Sequence, residues 1–172
     1  MDKKRILLIA SLSGSLINFR GDFIKSLIKH GFQVFAAAPE HPEDIRTKLE
    51  ALGATPLEFS LNRTGLNPIK DLQSISELKG LIRNNDIDLV FPYTVKPVIY
   101  GSIAANQCKV PVISLITGLG YAFTGLSAKA RLLQRFNEIL YKLSIRKNKV
   151  IVFQNKDDYQ LILEMFAAMS KG

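Results

Sequence analysis

The 172 residues, 47% apolar and 22% charged, make one globular domain and leave no room for two. Twenty-three Lys+Arg against fifteen Asp+Glu leave a formal charge of +8, which favours an anionic partner: phosphate, nucleic acid or an acidic lipid surface. A single cysteine, Cys108, excludes an internal disulfide, and with His30 and His41 in different segments no metal-ligand spacing exists, so neither a metal nor a cofactor is expected. Lys3, Lys4 and Arg5 precede an apolar run, Ile6 to Ala10, too short for a secretory signal. No run approaches the roughly 18 apolar residues of a spanning helix, so a cytoplasmic protein is expected.

Short apolar runs alternate with longer amphipathic stretches, the pattern of βαβ units on a parallel sheet. Residues 5–11 predict a strand, and 16–30 a helix whose Phe23, Ile24, Leu27 and Ile28 share a face and which stops at Gly31. A second strand at 33–38 leads to a helix over 42–52, with Pro42 in its first turn and Gly53 after its end. Residues 55–61 alternate less cleanly and read as an edge strand. A helix over 68–84, a strand at 89–93, a helix over about 96–107 and a strand at 112–116 follow. The chain then predicts a helix over 127–147 behind a Ser127 cap, a strand at 149–154 and a helix over 156–168. Most runs are continuously apolar, as in strands covered on both faces, which predicts an α/β domain on a mainly parallel sheet of about six strands. The last residues follow a sixth strand and most of a helix with no polar linker, which fits either a helix that ends there naturally or a larger protein that continues beyond them.

Three loops at predicted carboxyl ends of strands carry the candidate chemistry. The first, Ser11-Leu12-Ser13-Gly14-Ser15-Leu16-Ile17-Asn18-Phe19-Arg20, brings small residues to a helix start, where unpaired N–H groups and the positive dipole end hold anions. A tight turn that lets strand and helix pack closely satisfies the same residues. The loop is neither G-x-G-x-x-G nor a P-loop. After the fourth strand, Thr94 and Lys96 stand in Pro92-Tyr93-Thr94-Val95-Lys96-Pro97, where a lysine meets phosphate as a point charge or simply faces solvent. After the fifth, Thr117-Gly118-Leu119-Gly120-Tyr121-Ala122-Phe123-Thr124-Gly125 fits either close backbone approach to a ligand, with Tyr121 and Phe123 as stacking surface, or a turn with core aromatics.

The helix over 127–147 sets Lys129, Arg131, Arg135, Lys142, Arg146 and Lys147 against one acid, Glu138, and so holds five of the eight excess charges. Its other stripe is Leu132, Leu133, Phe136, Ile139, Leu140 and Leu143. Such a helix rests on anionic lipid or lies on a core with a solvated basic face. Nucleic acid is not expected as a partner, because the basic residues show neither an RNP-like aromatic pattern nor a DNA-reading motif. No Ser-His-Asp order and no G-x-S-x-G elbow occur, and Asp157 and Asp158 suit a helix cap.

In order and spacing, four stretches resemble the family 4 glycosyltransferases of the GT-B fold, in particular bacterial enzymes of capsule, O-antigen and glycan assembly. They are Asn18-Phe19-Arg20; Tyr93-Thr94-Val95-Lys96-Pro97 with Tyr100-Gly101 and Ala104-Ala105; Thr117-Gly118-Leu119-Gly120-Tyr121; and Phe153-Gln154-Asn155 followed by Asp157-Asp158. The resemblance covers nearly the whole chain but only the N-terminal half of such an enzyme. It implies a single Rossmann-like domain of three layers, α/β/α, that binds the acceptor, facing a second, nucleotide-sugar domain absent from residues 1–172. The implied reaction moves a sugar from a nucleoside-diphosphate donor to a polyprenyl-diphosphate-linked saccharide at the inner membrane face, with retention at the anomeric carbon, in capsular or lipopolysaccharide synthesis. The implied acceptor contacts are Ser13, Gly14, Asn18, Arg20, Thr94, Lys96, Thr117, Gly118, Gly120 and Tyr121, and the bases of the 127–147 helix then face anionic lipid. No catalytic base is assigned, since Tyr93-Thr94 occupies the region where relatives often carry a histidine. The alternative is a non-catalytic subunit that docks a separate donor-binding protein and recruits it to the membrane.

Overall fold

Apolar runs separated by amphipathic crossovers can pair in only one direction, and every strand pairing found is parallel. A computed structural model describes residues 3–62, 67–118 and 139–167. Along the chain these form β1 Arg5–Ile9, α1 Ser13–Asn18, α2 Gly21–Lys29, β2 Gln33–Ala38, α3 Glu43–Ala51, β3 Thr55–Glu58, α4 Pro68–Asn84, β4 Leu89–Pro92 and α5 Val95–Gln107. β5 Ile113–Ile116, α6 (described over 139–145), β6 Val150–Phe153 and α7 Lys156–Ala167 follow.

Four strands join in the order β3-β2-β1-β4, and β5 pairs with β6. Parallel bridges at Val90↔Val112 and Tyr93↔Leu115, with Val90 N–H donating to Pro111 O at 3.0 Å, carry β4 on to β5. The strands therefore run 3-2-1-4-5-6, with β3 at the edge as its pattern predicts. The pleat sends alternate residues to opposite faces. Leu7, Ile9, Phe35 and Ala37 pack with Leu78 and Ile82 of α4 and Val98 and Ile99 of α5. Ile6, Leu8, Val34 and Ala36 pack with Leu16, Ile24 and Leu49 from α1, α2 and α3. Two cores on two faces of one sheet are the three layers expected.

Two local devices fix β1 against β4. At their amino ends Asp88 accepts the Arg5 backbone N–H at 2.8 Å and the Lys4 ammonium at 2.9 Å, and these bonds hold its carboxyl below the usual range. At the other end α5 crosses so closely that a Cβ on Gly101 would lie 2.9 Å from Ile9 Cδ1 and 3.2 Å from Pro92 Cβ. The helix sits on the strands only because this residue has no side chain.

Some expectations need correction. The helix predicted over 16–30 begins earlier and is broken, because Phe19 closes α1 on Ser15 O and Arg20 opens α2 by accepting from Ile24 N–H. The third strand stops at Glu58 instead of 61: Ser60 is tied to α4, its N–H bonded to Glu77 and its carbonyl to the Ser74 hydroxyl. In α6 the packing stripe is rotated. Tyr141, Ser144 and Ile145 are buried, whereas Ile139 and Leu143, expected on the apolar side, are 54% and 53% exposed. Residues 127–138, with the Ser127 cap, lie outside the described residues. At the start of α7 the cap is Asn155, whose Oδ1 accepts the Asp158 N–H at 2.8 Å, and the Asp158 carboxylate steadies that cap by accepting from Asn155 Nδ2 at 2.7 Å.

Gly101→Ala gains helix propensity, about 1 kcal/mol, but overpacks a helix–sheet contact, which costs about 1–3 kcal/mol. Packing wins, and urea unfolding of the variant is expected to show a net loss of about 1 kcal/mol. A gain in stability would show that α5 shifts freely over the sheet.

Candidate functional site

In a 3-2-1-4 sheet the chain leaves β1 toward β2 on one side while β4 lies on the other, so a crevice opens at their carboxyl ends. The residues there form a cleft of about 370 Å³ lined by Ser11, Leu12 and Ser15 after β1, Phe19 and Arg20 between α1 and α2, Tyr93 and Thr94 after β4, Thr117 after β5 and Gln154 after β6. A smaller chamber of about 260 Å³ adjoins it, sharing Ser11 and Leu12 and adding Ser13, Gly14, Pro39, Glu40 and Leu61.

Tyr93 organises the larger chamber. It is 2% exposed, its hydroxyl lies 2.8 Å from Ser15 Oγ, and Ser15 gives its own proton to Leu12 O at 2.6 Å. The phenol is therefore the donor in that pair. Burial, opposed by the Ser15 bond and the Arg20 charge, pushes its hydroxyl up to about 12, so it stays protonated at neutral pH. Over its ring, 5.0 Å from the centroid, lies the Arg20 guanidinium. One Arg20 N–H bonds Phe19 O at 2.9 Å, and Arg20 Nε, enclosed from solvent, has no partner among the described residues. The helix break at 19–20 is what turns this side chain back over the sheet, and it also leaves Phe19 73% exposed on the rim.

Thr94 is strained. Its φ of 68° with ψ of 157° is a conformation that β-branched residues almost never adopt and that costs on the order of 1–3 kcal/mol. It directs Oγ1 to donate to Ser11 Oγ at 3.1 Å, linking the loops after β4 and β1 across the crevice.

The predicted contacts separate. Arg20, Thr94 and Thr117 line the larger chamber and Ser13 and Gly14 the smaller. Gly118 follows Thr117 with φ of 142°, and Gly120 and Tyr121 lie outside the described residues. Asn18 faces a separate groove with Gly21, Lys25 and Lys48. Lys96 turns toward the β3–α4 connection, its Nζ donating to Asn62 O at 2.5 Å and pairing with Asp71 at 3.6 Å, both side chains only 15–16% exposed. The same ammonium lies 5.8 Å from the Tyr100 ring centroid. Burial and the Asp71 carboxylate raise the Tyr100 hydroxyl well above the usual tyrosine value. Ser11, Ser15, Tyr93 and Gln154 also line the cleft; each lies in a stretch that the sequence marks, but none carries a signal of its own as a lining residue.

The glycosyl transferase 4-like family matches residues 5–155. The chain belongs to this family. Over 92% of its length the chain is 27% identical to the N,N'-diacetylbacillosaminyl-diphospho-undecaprenol alpha-1,3-N-acetylgalactosaminyltransferase of Campylobacter jejuni, and it spans 42% of that enzyme. Among solved structures it superposes on Acinetobacter baumannii MurG with a TM-score of 0.61 at 17% identity, covering 87% of this chain and 41% of that one. On Anabaena HepE, solved with UDP and glucose, the TM-score is 0.62 at 14% identity, covering 93% and 40%. These likenesses show the fold: a Rossmann-like domain of the GT-B glycosyltransferases spanning about two fifths of each relative.

The Thr94 strain gives this glycosyl transferase 4-like domain a testable signature. Thr94→Val keeps the strained backbone and loses the bond to Ser11, whereas Thr94→Gly loses the same bond but relieves the φ. Denaturant unfolding is expected to find the glycine variant more stable than the valine variant by about 1 kcal/mol or more, against glycine's usual deficit of about 0.5–1 kcal/mol. The opposite order would show that the backbone is unstrained.

Proposed function

We propose that the chain is the acceptor-binding half of a retaining glycosyltransferase. The enzyme moves a sugar from a nucleoside-diphosphate donor, held by a second domain, to a polyprenyl-diphosphate-linked saccharide in cell-surface polysaccharide or glycan synthesis. One observation carries the choice of this cleft: Arg20, stacked on Tyr93 at the crevice between β1 and β4, keeps an enclosed Nε with no partner among the described residues. An enclosed N–H left unpaired costs about 1–3 kcal/mol, which an anionic oxygen in the cleft offsets. The named activity of the Campylobacter relative, directed to a diphospho-undecaprenol saccharide, supports a diphosphate as that anion, and its greater length supports the second domain. Ser13, Gly14, Thr94, Thr117 and Gly118 are the remaining acceptor contacts of this reading, and Gly120 and Tyr121, which it also includes, lie outside the described residues. Lys96 and Asn18 stand outside this shell, Lys96 holding the β3–α4 connection and Asn18 the neighbouring groove.

In a protein carrying both domains, Arg20→Ala is expected to weaken acceptor binding about 10- to 100-fold, as for a lost charge-assisted bond, and to leave donor binding unchanged. Calorimetry with a short-chain polyprenyl-diphosphate-linked N-acetylhexosamine and with the nucleotide sugar reads both. Loss of donor affinity alone would place Arg20 on the wrong side of the reaction. The 172-residue chain by itself is expected to transfer no sugar, because donor and acceptor are not brought together.

A membrane-borne acceptor requires the domain to work at the inner leaflet. Among the described residues no helix is long and apolar enough to cross a membrane. The reading therefore places α6 against anionic lipid, supported by Ile139 and Leu143 exposed on a helix that also carries Lys142 and is followed in the next turn by Arg146 and Lys147. Lys129, Arg131 and Arg135, which the sequence pattern assigns to the same basic stripe, lie outside the described residues. With about 1 kcal/mol for each base, changing Arg131, Arg135, Lys142 and Arg146 to Gln should lower partitioning onto anionic vesicles about a thousandfold. Sedimentation with neutral vesicles should show no binding. Equal binding to both vesicle types would make the basic stripe a solvated face.

A further inference from the structure

The acceptor reading uses Arg20 and its chamber but gives no role to Ser11 or Glu40. We propose that Ser11 divides a two-part acceptor site, in which the Arg20 chamber takes the diphosphate and the Glu40 chamber takes the hydroxyl groups of the sugar bonded to it. The inference rests on the acceptor reading and specifies which end of the acceptor lies where.

Three observations carry it. The chambers are oppositely charged: the larger holds the Arg20 guanidinium with its unpaired Nε, and the smaller holds the exposed Glu40 carboxylate, which makes no ion pair or hydrogen bond among the described residues. An ionised carboxylate only accepts hydrogen bonds, so it matches the O–H donors of a sugar and repels a phosphate. The chambers also adjoin, sharing Ser11 and Leu12. A sugar diphosphate requires this, because its anomeric carbon is bonded directly to a phosphate oxygen. At about 260 Å³ the Glu40 chamber suits a single ring, with Leu12, Pro39 and Leu61 offering apolar surface to its C–H face.

Ser11 is the positioning residue between them. Thr94 Oγ1 donates to Ser11 Oγ, so the Ser11 proton is turned away from Thr94, and the residue lines both chambers. A hydroxyl donor held there meets the oxygen that joins sugar to phosphate. The strained Thr94 backbone sets that direction.

The test uses the isotope-labelled 172-residue chain and two probes, inorganic pyrophosphate and the methyl glycoside of N-acetylglucosamine, with amide shifts read by NMR. Pyrophosphate should perturb Tyr93 and Thr94, and the glycoside Gly14, Glu40 and Leu61. Arg20→Gln should weaken pyrophosphate about tenfold and leave the glycoside unaffected, and Glu40→Gln should do the reverse. Ser11→Ala should weaken both probes while leaving the remaining amide spectrum in place. If the glycoside fails to bind, or perturbs the Arg20 chamber, or is indifferent to Glu40→Gln while pyrophosphate still depends on Arg20, the division is overturned and the acceptor reading stands. If pyrophosphate does not reach Tyr93 and Thr94, the acceptor reading falls and the division with it.

Discussion

Parallel pairing of β1 with β2 on one side and β4 on the other is the constraint from which the rest follows. It sends each connection to the same end of the sheet, so the loops after all six strands contribute to one crevice. The register must hold for this to work, since a slip of one residue would exchange Leu7 and Ile9 with Ile6 and Leu8 between the two cores. Asp88 secures the amino end of the β1–β4 pair and the Gly101 contact the carboxyl end. The cleft is precise because the strands beneath it cannot slide.

Much of this was legible in the chain. Continuous apolar runs mark strands covered on both faces, and α4 was readable to its bounds because Asn67 caps it, Pro68 opens it and apolar residues recur at helical spacing. The failures have a common cause, a partner far away in sequence. Gly21 is the one local weakness in the helix at Phe19-Arg20, and a lone glycine is tolerated within many helices. The break is held by Arg20 lying over Tyr93, more than seventy positions on. β3 ends early because Glu77 and Ser74 draw Ser60 away from β2. In α6, counting apolar residues picked out Ile139 and Leu143, whereas the large ring of Tyr141, with Ile145 four residues on, sets which face goes inward.

The site was legible as loops but less so as residues. Small residues and glycines after strands pointed to the right edge, and Arg20 and Thr94 came with them. Tyr93 ends an apolar run and reads as core, which it also is. Its role comes from donating to Ser15 and bearing Arg20, relations that run across the sheet. Glu40 belongs to no motif, and Ser11 only opens the loop after β1 with nothing of its own to single it out. They become visible only when β1 and β2 are laid side by side and their ends meet.

Arg20 and Lys96 show why net charge is a poor guide to where an anion binds. Both are cations at the carboxyl edge, and on sequence both suit a diphosphate. Lys96 lies in a largely enclosed position where an ammonium, strongly hydrated in water, must be neutralised, and Asp71 and Asn62 O do so. Removing Asp71 would strand that charge, so the pair is retained as structure. Arg20 tolerates a different arrangement: its planar, weakly hydrated guanidinium lies on the Tyr93 ring and makes no ion pair among the described residues. Its positive charge thus stays unneutralised inside a cleft, which is the state a binding site for an anion needs before the anion arrives. The stacking that Tyr93 provides is what lets the fold hold that charge in place, and the helix break, the buried phenol and the Ser15 bond are the structure required for the stacking.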